Sequence, residues 1–161
     1  MKKVISASRR TDLVAFFPDW LASAIKKERA LVCGPSGRAY AVDLRPQSVH
    51  TFVLWSKNFE NLIKNRYGLR DYLAKYEQLY FHFTITGLGG SFIEPGVPPP
   101  EMALAQLKTL VEIAGSPERV SLRFDPVVFW EEKERRLTNL AFFENLAPHA
   151  ASLRIKTVRF S

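Results

Sequence analysis

Four short polar clusters in this sequence hold the side chains that could bind or transform a ligand. They are residues 9–12, 55–58, 84–86 and 123–126. Each follows an apolar run rich in β-branched and aromatic residues, a composition typical of strands. Arginine forks match phosphate and carboxylate groups bidentately, lysine adds a point charge, and carboxylates orient such cations or accept a proton. The clusters therefore favour a site for an anionic small molecule.

Two kinds of role are predicted within these clusters. Arg9, Arg10 and Lys57 would hold the anion, and Asp12 or Asp125 would orient the cations or act as a base. The candidate catalytic residues are Asp12, Arg123 and Asp125, and the candidate ligand-binding residues are Arg9, Arg10, Thr11, Trp55, Lys57, Thr84 and Thr86.

Each cluster also has a purely structural interpretation. Residues 9–12 could form a solvated turn whose carboxylate caps the next helix. Asn58 could be a plain helix cap, Trp55 could fill the core instead of stacking on a ligand, and Arg123 could simply pair with Asp125. Position favours a site, because all four clusters stand at the carboxyl ends of predicted strands, where barrels and open parallel sheets bind ligands.

The apolar patterns predict strands that alternate with helices. Strands are expected over residues 3–8, 51–55, 79–86, 120–124 and 153–161. Helices are expected over residues 18–27, 59–64, 69–76, 101–114 and 137–146. Pro18 suits the first position of a helix and Gly115 suits the end of another. The runs 30–33 and 39–44 flank the sequence GPSG and predict an inserted β-hairpin.

This alternation predicts the fold class. Strands separated by helices imply parallel crossover units and an α/β fold. The expected architecture is a partial (β/α) TIM-barrel-like domain of about five parallel strands, with residues 1–161 forming a single domain. An open α/β sheet that finishes on its last strand is the alternative.

Alternation within the strands predicts which side chains face the site. Successive residues of a strand point to opposite faces. His82, Thr84 and Thr86 therefore share the polar face of their strand. Arg123 and Asp125 share the polar face of the next strand along the chain. Barrel interiors are normally filled by branched aliphatic residues. A polar lining therefore indicates a ligand cavity.

His82 and the sequence GLGG at residues 87–90 carry weaker signals. The ordinary pKa of histidine lies near neutrality, so His82 could act as a base or ligand. It stands in mid-strand without a second histidine or cysteine at metal-ligand spacing, and a hydrogen-bonded core histidine is the other interpretation. No metal site is predicted, and the residues identify no cofactor. GLGG predicts a flexible loop that could close over a ligand.

The composition of the 161-residue chain limits the kinds of partner that it can bind. The 23 Lys and Arg residues exceed the 16 Asp and Glu residues, giving a formal charge of +7 that permits phosphates or nucleic acid. No uncharged apolar run approaches the roughly 18 residues of a membrane span. The single cysteine, Cys33, excludes an intrachain disulfide. The expected location is the cytoplasm, without a membrane partner.

Two other function classes remain open. A nucleic-acid-binding module would use the positive charge together with Trp55 and Tyr80. A non-catalytic domain would instead be completed by a partner chain or by a second copy in a homodimer, because an unpaired strand edge invites association.

Five motifs carry a resemblance to a known family. They are SASRRTD (6–12), VLWSKN (53–58), YFHFTITG (80–87), IEPGVPPPE (93–101) and RVSLRFDPV (119–127). In this order and spacing they resemble a bacterial family known as domain of unknown function 1848. The resemblance covers nearly the whole chain and implies a barrel-like fold. It implies no established activity, so no catalytic residue is carried over.

The resemblance also implies a difference in length. Members of that family are longer and have a cysteine-rich segment near the carboxyl terminus. That segment is similar to the iron–sulfur motif of radical S-adenosylmethionine enzymes related to spore photoproduct lyase. This sequence has only Cys33, so it is expected to be the N-terminal part of such a protein or a shortened relative.

Overall fold

The computed structural model describes residues 1–34 and 36–160. Its strands are β1 (Lys3–Ala7), β2 (Arg29–Cys33), β3 (Ala39–Asp43), β4 (Val49–Ser56), β5 (Gln78–Thr84), β6 (Val120–Phe124), β7 (Phe129–Glu132), β8 (Arg135–Thr138) and β9 (Thr157–Phe160). Its α-helices are α1 (Leu13–Phe16), α2 (Pro18–Lys26), α3 (Glu60–Ile63), α4 (Leu69–Leu73), α5 (Pro100–Ala114) and α6 (Phe143–Ser152). Two residues of the predicted elements, Pro35 in the GPSG turn and Ser161 in the last strand, lie outside the described residues.

Five of these strands form one parallel sheet with the order β1-β4-β5-β6-β9. Within this sheet, each strand pairs with the sheet strand that precedes it in the chain. The α/β class and the five parallel strands are therefore confirmed. β1 and β9 are the two edges of the sheet, and no pairing between them closes it within the part of the chain that the structure describes.

One face of the sheet is apolar and lies under helices. Helix α1 packs against β4, and α5 packs against β5 and β6. Phe59, just before α3, makes edge contacts with Phe81 and Phe83 at centroid distances of 5.3 and 5.2 Å. Full burial of each such side chain contributes about 1.5–3 kcal/mol to the free energy of unfolding. The large, fully buried side chains of this face include Phe52, Leu54, Phe81, Phe83 and Phe124.

The opposite face of the sheet is polar, as the alternation predicted. Trp55 of β4 is the register partner of His82 in β5, and Thr84 of β5 is the partner of Arg123 in β6. Each cross-strand pair brings side chains of one face together. The parallel register therefore carries residues far apart in sequence to the same end of the sheet.

The structure differs from the sequence prediction after β6. The predicted helix over residues 137–146 is wrong at its start, because Leu137 lies in β8 and pairs with Trp130 of β7. Positive φ angles at Lys133 and Glu134 form the turn of this β7–β8 hairpin. The hydroxyl of Thr138 then accepts a hydrogen bond from the amide of Leu140 at 3.2 Å, so helical structure begins only at residue 139.

The inserted hairpin is confirmed, since β2 and β3 pair in antiparallel register. Helix α5 ends as predicted at Gly115, whose φ of 75° is left-handed. None of the helices in residues 1–34 and 36–160 is both long and apolar enough to cross a membrane.

Candidate functional site

A cavity of about 350 Å³ lies at the carboxyl ends of β1, β4, β5 and β6. We call it the cationic cavity. This volume is within the range of small-molecule sites. It brings together eight of the ten residues that the sequence singled out. Its lining residues are Ser8, Arg9, Arg10, Thr11, Asp12, Trp55, Ser56, Lys57, Thr84 and Arg123.

The turn after β1 presents the two arginines. The hydroxyl of Ser8 accepts hydrogen bonds from the amides of Arg10 at 3.0 Å and Thr11 at 3.4 Å. This serine turn reverses the chain directly after the strand. Adjacent guanidinium groups are thereby held at the rim of the cationic cavity.

Asp12 ties the ends of β1 and β4 together. Its Oδ1 accepts from the amide of Ala15 at 2.8 Å and caps α1, as the structural interpretation proposed. Its Oδ2 accepts from the hydroxyl of Ser56 at 2.8 Å and from the amide of Lys57 at 3.0 Å. Burial raises the pKa of the Asp12 carboxyl, and these hydrogen bonds oppose the rise. Both carboxyl oxygens are therefore already engaged within the chain.

The four cations of the cavity differ in their partners. Lys57 forms an ion pair with Glu94, and Arg123 forms one with Asp125. Arg10 donates to the carbonyl of Cys33 at 2.8 Å. Within residues 1–34 and 36–160, neither Arg9 nor Arg10 has an acidic partner. The cavity thus holds two guanidinium charges that no carboxylate of the described chain neutralises.

Trp55 lines the cationic cavity and organises the side chains around it. Its indole N–H donates to the hydroxyl of Ser6 at 2.8 Å. The ring stacks on His82 with centroids 3.7 Å apart and an interplanar angle of 17°. Arg9 and Arg123 lie 5.6 and 5.4 Å from the ring centroid, within cation–π range.

His82 is a neutral, buried member of the polar face. Burial, together with the positive charges of Arg159, Arg123 and Arg9, lowers its pKa to about 4. Its Nδ1 is buried without a hydrogen-bond partner in the described part of the chain. Its imidazole is not among the lining residues of the cationic cavity.

Two predicted site residues lie outside the cavity lining, Thr86 and Asp125. The hydroxyl of Thr86 donates to Glu94 Oε2 at 2.5 Å, and Asp125 pairs with Arg123 as the structural alternative proposed. Glu94, which sequence reasoning missed, therefore links Thr86 to Lys57. Its signal in the sequence is an acidic residue within an otherwise uncharged segment, residues 87–100.

The segment after β5 is closely packed. A β-carbon on Gly89 would lie 1.9 Å from the carbonyl oxygen of Pro98, and one on Gly87 would lie 2.5 Å from the ring of Phe142. Gly89 also forms a β-bridge with Glu94. These contacts hold the carboxylate of Glu94 against Lys57.

No group of three or more His, Cys, Asp or Glu side chains suited to a metal ion is found among residues 1–34 and 36–160. The lining of the cationic cavity combines guanidinium, ammonium and hydroxyl groups with the carboxylate of Asp12.

Fold and site together define an α/β protein with a cation-lined cavity at the carboxyl ends of a parallel sheet. The chain belongs to the family described as Domain of unknown function (DUF1848), whose family model matches residues 4–161. This match confirms the resemblance carried by the five motifs. Comparison with curated proteins and with solved structures found no match.

Proposed function

We propose that this chain binds an anionic small molecule, of the phosphate, nucleotide or S-adenosylmethionine type, in the cationic cavity. The observation that carries the proposal is the adjacent pair Arg9 and Arg10, which has no acidic partner in the described chain. Guanidinium groups bind phosphate and carboxylate through paired, charge-assisted hydrogen bonds. An anion would neutralise the charge that the fold leaves uncompensated there.

The remaining lining residues have supporting roles in this proposal. Thr11 and Thr84 supply hydroxyl groups, and Trp55 supplies an aromatic ring beside the anion. Lys57 and Arg123 are held by Glu94 and Asp125, so they offer N–H donors at fixed positions without adding net charge.

The candidate catalytic residues keep different roles in the proposal. Asp12 positions the turn and Lys57, since both of its oxygens accept hydrogen bonds from the chain. Arg123 contacts the ligand and Asp125 orients Arg123. No reaction is assigned to these groups.

A thermal-shift screen tests the proposal. The purified chain is melted with inorganic phosphate, nucleotides, sugar phosphates and S-adenosylmethionine, each at matched ionic strength. The same screen is run on Arg9→Gln/Arg10→Gln. Its control is Arg135→Gln/Arg136→Gln, which removes the same charge from the exposed β7–β8 hairpin. We expect at least one anion to raise the melting temperature of the parent and the control but not of the cavity variant.

The nucleic-acid alternative predicts a different outcome. Non-specific binding to nucleic acid depends on total charge and weakens steeply with salt, so the two double variants would lose affinity equally. Equal loss, or no shift of the parent by any anion, would contradict the small-molecule proposal.

We also propose that the sheet is part of a (β/α) barrel within a single domain of residues 1–161. The support is the sheet order β1-β4-β5-β6-β9, in which sheet neighbours are also successive sheet strands along the chain, as in a barrel. The open edges β1 and β9 leave room for a second copy or a partner chain to pair. Analytical ultracentrifugation of the purified chain tests whether a second copy pairs at these edges. The cytoplasmic location stays a prediction.

A further inference from the structure

A second cavity, of about 400 Å³, adjoins the cationic cavity and shares Asp12 and Lys57 with it. Its other walls come from the end of α1, from the residue after Lys57 and from the segment after β5. Most of these walls are apolar, and we call it the apolar cavity. Its remaining lining residues are Ala15, Phe16, Asn58, Gly96, Val97 and Pro98.

Phe16 is an exposed aromatic residue in this wall. The side chain leaves 67% of its surface accessible, although it stands at the end of a helix that packs against β4. Exposed apolar surface that lines a concave site is typical of a place where a ligand binds.

Lys57 marks the boundary between the two cavities. Its amide donates to Asp12 and its ammonium group pairs with Glu94, which fixes an ammonium–carboxylate pair where the cavities meet. Arg9, Arg10 and Arg123 lie on one side of this boundary, and Phe16 and Val97 lie on the other. The walls on the two sides of the shared residues are therefore cationic in one cavity and mostly apolar in the other.

We propose that the ligand of this site is an amphiphilic anion, whose charged group lies in the cationic cavity and whose short hydrocarbon part lies in the apolar cavity. The inference rests on the proposed function and narrows its ligand class to an aliphatic or aromatic ester of phosphate, or a carboxylate of similar shape. Charge holds one end of such a ligand, and removal of apolar surface from water holds the other.

Calorimetric titration with inorganic phosphate and with methyl, butyl and hexyl phosphate tests the inference. Each methylene that leaves water contributes about 0.8 kcal/mol, or about fourfold in affinity. We therefore expect the affinity of the parent to rise along the series until the apolar cavity is filled. Equal affinity for all four phosphates would overturn the inference and leave the proposed function standing.

Two variants locate the hydrocarbon part. Phe16→Ser removes apolar wall and should reduce the gain from methyl to hexyl phosphate at least fourfold, with the affinity for inorganic phosphate unchanged. Its matched control is Phe129→Ser, an exposed phenyl ring on the β7–β8 hairpin, outside both cavities. The control should keep the full gain.

Gly96→Leu provides the second variant. Its φ is not left-handed, and a β-carbon there meets no atom within 4 Å, so a larger side chain can be accommodated without displacing the chain. With leucine at this position, we expect the affinity to stop rising at a shorter alkyl group than in the parent. If both variants keep the full gain, the hydrocarbon part binds elsewhere and the inference is wrong. If neither these phosphates nor any anion of the thermal-shift screen binds the parent, the proposed function fails first.

Discussion

Some cations at the two ends of the parallel sheet differ in their partners. At the amino ends of the strands, Lys2 pairs with Glu77 at 2.6 Å, His50 lies 3.3 Å from the same carboxylate, and Lys156 pairs with Glu118 at 3.0 Å. At the carboxyl ends, Arg9 and Arg10 share a cavity rim without any acidic partner among the described residues.

This contrast separates cations that have an acidic partner from the two arginines that have none among the described residues. Exposed ion pairs contribute little to the free energy of unfolding, but they leave no local excess of charge. Adjacent unpaired cations repel each other, and this repulsion is opposed by the hydrogen bond of Arg10 to the carbonyl of Cys33 and by the contact of Arg9 with Trp55. The turn with Arg9 and Arg10 therefore carries uncompensated positive charge at the carboxyl end of the sheet, and this is the charge that we propose an anion neutralises.

The largest stability effect at the carboxyl end is expected from Asp12→Ala. The substitution removes the cap of α1 and the acceptor of the Ser56 and Lys57 hydrogen bonds. We expect the free energy of unfolding to fall by about 2–4 kcal/mol in urea denaturation. Asp19→Ala, an exposed carboxylate in the first turn of α2, is the control and should cost about 0.5 kcal/mol. Equal losses of unfolding free energy in the two variants would show that Asp12 does not position the turn and Lys57.

A moderate, pH-dependent effect is expected from His82→Gln. The pKa of His82 is about 4 in the folded protein, against the ordinary histidine value of 6.5 in the unfolded chain, so the unfolded chain binds the extra proton between these values. The parent therefore loses stability as the pH falls from 6.5 to about 4, and the variant lacks this loss. The difference in melting temperature between the two should shrink over that range. A constant difference would contradict a neutral, buried His82.

The smallest effect is expected at the amino end, from Lys2→Ala. The variant breaks an exposed ion pair with Glu77, and such pairs contribute little. We expect the melting temperature to change by less than about 2 °C, with no change in the phosphate-induced shift. A loss of phosphate binding would show that net charge, and not the cationic cavity, attracts the anion.

The sequence predicted the parts of the fold that depend on local patterns. Alternation placed Trp55, His82 and Arg123 on one face of the sheet, because parallel register keeps such residues together. Parallel sheets bind ligands at the carboxyl ends of their strands, and the candidate residues were chosen by this rule. Eight of them line one cavity there.

The rest depends on contacts that no local pattern encodes. Glu94 lies in the segment where Gly89 packs on Pro98, and its ion pair with Lys57 joins the loop after β5 to the loop after β4. The β7–β8 hairpin was missed because its turn uses Lys133 and Glu134 at positive φ, where glycine or asparagine is the usual signal. The predicted helix includes Leu137 because the sequence carries no signal for the turn that brings Leu137 opposite Trp130.

The most direct measurement compares the parent with Arg9→Gln, melted in chloride and in inorganic phosphate at equal ionic strength. If Arg9 serves a ligand, the variant melts close to the parent in chloride, because only a cation–π contact with Trp55 is lost. In phosphate, the parent should gain stability and the variant should bind at least tenfold more weakly. A variant that melts far below the parent in chloride, with no phosphate shift in either protein, would show that the arginine is structural and would contradict the account.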